Sequence, residues 1–183
     1  MARIRFLLFI ALAALAGAVA GRVAAECLDI LTPLVVPGAV TDEIDRVARE
    51  FILDNGALPA CLFYRGYGKT VCISPNHVVC HGIPGEKTLR EGDIVNIDVT
   101  AIVDGWHGDT SRMYPVGEVA AKPRRLVEVT YDGLEKGLAE IKPGARFGDI
   151  GHAIQKYVEA QRFSDRKSTR LNSSHIPLSR MPS

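Results

Sequence analysis

A ten-residue run, Ile94 to Val103, is rich in β-branched and apolar residues and stops at an Asp104-Gly105 pair. Such a run reads as a strand, and Asp-Gly is the strongest short signal for a tight hairpin. With Asp104 and Gly105 as the two turn residues, Val103 faces Trp106 and Thr100 faces Asp109. Asp98 lies on the same face as Thr100. Asp98 and Asp109 are then diagonal neighbours, roughly 7–8 Å apart at Cα. Two carboxylates on so apolar a sheet repel each other and lose solvation, so a cation is expected between them. A divalent metal ion, or a pair, is the economical occupant. Solvated aspartates or a loop cap are the alternatives at this point. His81, in VVCHGIPG, stands at the end of what reads as another apolar strand. It can supply an acid, a base or a substrate contact.

The segments CISPNHVVCHGIPG and EGDIVNIDVTAIVDGWHGDTSRM closely resemble type I methionine aminopeptidases, from about Gly21 to Ser164. The resemblance implies an α/β (α+β) fold of the pita-bread type. It also implies a dinuclear centre of Co, Mn, Fe or Zn and removal of the initiator methionine from new chains. By matching motif, Asp98 (of NIDVT) and Asp109 (of HGDTS) are the first two metal ligands, Asp109 bridging both ions. His81 (of CHGIP) matches a catalytic histidine that contacts substrate near the scissile bond. Cys61, Tyr64, Tyr67 and Cys72 match the lining of the methionine pocket. Asn76 and Val78 match backbone-carbonyl ligands of a structural monovalent cation. Arg65, Gly68 and His77 depart from the family pattern near the pocket rim.

The family's centre takes five ligands. The remaining histidine and two glutamates are expected from a second half that this chain lacks. PGAVTDEIDRVAREFI from Pro37 and PGARFGDIGHAIQKYV from Pro143 align at an offset of 106 residues. Ile44, Val47, Ala48, Phe51 and Ile52 fall on Ile150, Ala153, Ile154, Tyr157 and Val158, each set at helical spacing. This is an internal repeat. The first copy leads into the strands of Asp98 and Asp109; after the second no equivalent strands follow. The chain therefore reads as roughly the first pseudo-symmetric half of the fold, inactive by itself.

From Asp165 the sequence DRKSTRLNSSHIPLSRMPS resembles a sequencing adapter translated in frame, so residues 165–183 are expected to be an artefactual, disordered tail. The whole chain carries 22 basic and 21 acidic residues. Setting aside the tail's four basic residues and one acid leaves 18 and 20. That balance gives no electrostatic case for nucleic acid.

Residues 1–20 have the charged start, apolar middle and Ala-Val-Ala end of a secretory signal. They read either as such a leader or as a miscalled start, with the catalytic part spanning 21–164. Cys27, Cys61, Cys72 and Cys80 show no ligand spacing, so reduced thiols and a cytoplasmic location are expected, the alternative being export or membrane anchoring if the leader is genuine. Helices are expected at 21–35, at 42–54 and from Pro123 to Ile141, the last with Leu126, Leu134, Leu138 and Ile141 as its apolar stripe. Short strands are expected near 61–64, 71–73 and 78–81. The expected partners are peptide or nascent-chain N-termini and the ribosome, acting on a monomer when full length. A proline-specific peptidase of the same fold and a non-catalytic binding module are the alternatives.

Overall fold

The computed structural model describes residues 2–164; the expected tail lies outside them. The chain divides between Val119 and Ala120 into two compact units.

The first unit opens with α1, Ala2–Leu31. Alanine and leucine are the best helix formers, so this stretch has no reason to break before Pro33. A single 3₁₀ turn at Thr32–Leu34 takes up the stop. The helix expected to start at residue 21 instead runs unbroken through Ala20 and Gly21. Among the described residues no helix is long and apolar enough to cross a membrane. Next come α2 (Thr41–Asp54), β1 (Leu58–Pro59), β2 (Cys72–Pro75), β3 (Ile94–Val103) and β4 (Trp106–Pro115).

β3 is the centre of an antiparallel sheet. β4 lies along one edge; β1 and β2 share the other. Alternation along β3 separates its faces. Val95, Ile97, Val99 and Ala101 are buried with Val23, Ala24, Cys27, Leu28 and Leu31 of α1 and Ile44, Ala48 and Ile52 of α2. Each large aliphatic side chain buried there contributes about 1.5–3 kcal/mol. Polar contacts fix α1 on β4: the Tyr114 hydroxyl donates to the Leu28 carbonyl at 2.8 Å, and Arg112 pairs with Asp29 at 2.8 Å. Asn96, Asp98, Thr100 and Ile102 are only partly buried and occupy the opposite face.

Two expected strands are absent. Tyr64–Gly66 is a 3₁₀ turn, and 78–81 is irregular, with Val79 exposed. The backbone gives the reason. Phe63, Arg65, Asn76 and His81 have φ of 65°, 50°, 53° and 55°, left-handed values that cannot continue a ladder.

The second unit contains α3 (Ala121–Leu138) and α4 (Phe147–Ala160). The face of α3 that packs on α4 is not the leucine stripe. Leu126, Leu134, Leu138 and Ile141 are exposed, whereas Val129, Gly133 and Gly137 are buried. Glycine at 133 and 137 lets Ile150, Ile154, Tyr157 and Val158 of α4 close on the α3 backbone, which a leucine would hold off. The repeat is visible in the backbone. α2 and α4 start and end at the same 106-residue offset. Gly38 and Gly144, which precede them, have φ of 88° and 89°.

Candidate metal centre

Asp104 and Gly105 both have positive φ, 49° and 82°, as a type I′ turn requires. The turn locks the hairpin in register: Val103 opposite Trp106, Thr100 opposite Asp109, and Asp98 opposite Ser111. Asp98 and Asp109 share a face on the diagonal, with their carboxyl groups close enough to hydrogen-bond. Burial, then the charge and hydrogen bond of Asp109, push the Asp98 carboxyl up to about 6. Among the described residues neither carboxylate has an ion-pair partner. The pair therefore lacks a positive countercharge, and its hard oxygen donors suit a divalent ion. No third His, Cys, Asp or Glu joins them as a ligand group among the described residues.

Three of the four expected pocket residues gather beside this pair. Cys72 faces Asp98 across the sheet. Cys61 and Cys72 are within hydrogen-bonding reach of each other, and Tyr67 of Cys72. The hydrogen bond between them lowers the Cys61 thiol, and the same bond together with burial raises Cys72. Tyr67 is buried, its hydroxyl donating to the carbonyl of Val71 at 3.0 Å or of Gly82 at 3.3 Å. Tyr64 is 54% exposed, beneath the Arg65 guanidinium at the loop tip.

His81 is held by its neighbour. The Ile73 N–H donates to the Gly82 carbonyl at 2.8 Å, and the Gly82 N–H donates to the Ser74 hydroxyl at 3.0 Å. A Cβ at Gly82 would overlap the Ile73 carbonyl, so only glycine lets this segment dock on the outer edge of β2. Asn76 and Val78 occupy the turn after β2. The Asn76 side chain donates to Asp93 at 2.9 Å and accepts from the Ile94 N–H at 3.1 Å.

Asp45 is a positioning residue that motif reading missed. It is 6% exposed on α2, and its Oδ1 accepts the N–H groups of Thr70 (2.8 Å) and Val71 (2.9 Å). Asp42 pairs with Lys69, and the Thr41 hydroxyl exchanges hydrogen bonds with the backbone of Gly85. The start of α2 thus straps down both the pocket loop and the turn after His81. The available signal was an acid on the buried 41-45-48-52 face of an amphipathic helix. Asp45→Ala leaves two buried N–H groups unpaired and is expected to cost about 2–4 kcal/mol. Asp45→Asn keeps the acceptor oxygen and removes a charge that burial disfavours, so its expected cost is under about 1 kcal/mol. Urea midpoints of the two variants check the difference.

The model of metallopeptidase family M24 matches residues 16–175. The methionine aminopeptidase of Rickettsia prowazekii is 55% identical over 145 residues, 79% of this chain and 56% of that protein. The methionine aminopeptidase of Escherichia coli K12 is 53% identical over 148 residues, 80% of this chain and 56% of that protein. The crystal structure of the Rickettsia prowazekii enzyme superposes with a TM-score of 0.79 at 53% identity, covering 85% of this chain and 61% of that one. The chain thus spans about 56% of the length of these curated relatives.

Proposed function

The chain belongs to metallopeptidase family M24, and from that premise we propose that it carries part of a methionine aminopeptidase. Its substrates are the N-termini of nascent chains, met at the ribosome in the cytoplasm. The observation that carries this reading is the pair Asp98 and Asp109, side by side with no countercharge among the described residues, next to the Cys61-Tyr67-Cys72 cluster.

Asp98 and Asp109 would hold divalent ions, which when bound acidify water and polarise a carbonyl. Co, Mn, Fe and Zn all accept such a donor set. Cys61, Tyr67 and Cys72 offer a soft, largely apolar lining that fits a thioether side chain. Tyr64 stands at its rim. His81, fixed through Gly82, would hydrogen-bond the substrate near the scissile bond. The carbonyls of Asn76 and Val78 would serve a monovalent cation at the turn.

Two carboxylates make a weak site, so the 183-residue chain alone is expected to release no methionine from a Met-Ala peptide above the metal-free blank. The test of the function joins this chain to the part of the Rickettsia prowazekii relative that it does not match. Metal-dependent release of methionine from Met-Ala, lost with Asp98→Asn, supports the reading. Cleavage of an Xaa-Pro peptide instead would replace it with a proline-specific peptidase. Absence of both activities and of bound metal would leave a binding module.

A further inference from the structure

The ten residues between Cys61 and Cys72 leave one edge of β3 and return to it at the next free position. β1 faces Ile102 and Ala101, and the Ala60 N–H donates to the Thr100 carbonyl at 2.9 Å. β2 rejoins the edge with Cys72 opposite Asp98. Cys61 and Cys72 therefore form the neck of the loop, next to each other along β3, where successive residues advance by about 3.3 Å. A disulfide spans Cα atoms roughly 4.4–6.8 Å apart, so residues at adjacent positions on one strand edge are the kind it can join. Their thiols already lie within hydrogen-bonding reach, and neither is bridged. Cys61 is half-buried and open to a small reagent, whereas Cys72 is only 5% exposed.

The other thiols are placed differently. Cys27 is fully buried on the far face of the sheet, its thiol directed at the Ala48 carbonyl at 4.0 Å. Cys80 lies in the irregular segment before His81.

We propose that Cys61 and Cys72 are a redox-active dithiol whose disulfide closes the neck of the 62–71 loop. The oxidant is a small-molecule disulfide. Cys61, the more exposed of the two, gives up its proton and attacks one sulfur of the reagent, forming a mixed disulfide and expelling one small thiolate, which takes up that proton. Cys72, losing its own proton, then attacks the Cys61 sulfur and displaces the second small thiol. Two protein thiols are oxidised and one reagent disulfide is reduced to two thiols. The bond ties together the two ends of the segment that carries Tyr64 and Tyr67. Its effect on methionine binding rests on the function proposed above; the bond itself does not.

The test uses the whole 183-residue chain, exposed to excess oxidised glutathione, alkylated, and digested with trypsin without reduction. Cleavage at Arg49, Arg65, Lys69 and Lys87 leaves Cys61 in peptide 50–65 and Cys72 with Cys80 in peptide 70–87. The expected product is these two peptides joined, two hydrogens lighter than their sum. Fragmentation should place the bond at Cys61 and Cys72, and dithiothreitol should separate them. Cys80→Ser should form the same product; Cys61→Ser and Cys72→Ser should not. Recovery of both thiols alkylated, persistent glutathione adducts, or a bond to Cys80 would each overturn the proposal. Because the readout is a mass, failure here is separate from failure of the peptidase reading.

Discussion

Gly108→Ala is expected to destabilise the first unit by about 3 kcal/mol or more, the overpacking cost of a side chain with nowhere to go. Gly108 is buried on β4, beside Asp109, opposite Ala101. It lies where α1 crosses the hairpin. A Cβ there would overlap the backbone of Ala20 and Gly21, and backbone cannot yield by changing rotamer. Either α1 lifts from the sheet or β4 bends. The first exposes Val23, Ala24 and Cys27; the second moves Asp109. Domains of this size are held by about 5–15 kcal/mol in total, so the loss is a large share. A control comes from the same helix. Gly17 has open space around it, so Gly17→Ala is expected to stabilise by about 0.5–1 kcal/mol through helix propensity. Urea unfolding of both variants should move the midpoint in opposite directions. A Gly108→Ala midpoint within error of the parent would mean that α1 does not rest on the hairpin as described.

The contrast between Asp109 and Gly108 shows what could be read from the chain alone. The hairpin register follows from local rules. Asp104-Gly105 selects the turn, alternation selects the face, and Asp98 and Asp109 meet as a consequence. Gly108 carries no such signal, because its role exists only once α1 lies on the sheet. Asp45 is an intermediate case. An acid on an apolar helix face announces a buried partner, but the partners are the backbone N–H groups of Thr70 and Val71, which composition cannot point to. The side of α3 that meets α4 was hidden for a related reason. Leu126, Leu134 and Leu138 give the stronger hydrophobic pattern, yet close approach of α4 is decided by Gly133 and Gly137, which hydropathy ranks low. The strands expected at 61–64 and 78–81 failed because left-handed φ at Phe63, Arg65 and His81 is set by the loop's path and not by residue type.

Asp98 supplies the second large effect, and its sign can be worked out. Its carboxyl titrates near 3.8 in the unfolded chain and is pushed up to about 6 in the fold, by burial first and Asp109 second. The fold therefore binds the proton more tightly. The resulting stability is complete below about pH 4 and is lost as pH rises through about 6. Above that, the metal-free chain keeps a desolvated carboxylate facing another acid, at a cost on the order of 1–3 kcal/mol. The unfolding midpoint should fall accordingly between pH 4 and 7. Asp98→Asn should flatten most of that slope and raise stability at pH 7. Asp45 is displaced in the same direction by burial, so a smaller slope should survive the substitution. A divalent cation should act in the opposite sense. Millimolar Mn²⁺ at pH 7 should raise the midpoint of the parent chain, since a ligand that binds only the folded state stabilises it, and should leave Asp98→Asn unmoved. An equal rise in both proteins would place the ion elsewhere. A parent midpoint flat from pH 4 to 7 would mean that Asp98 is not held partly buried beside Asp109, and the candidate metal centre would lose its physical basis.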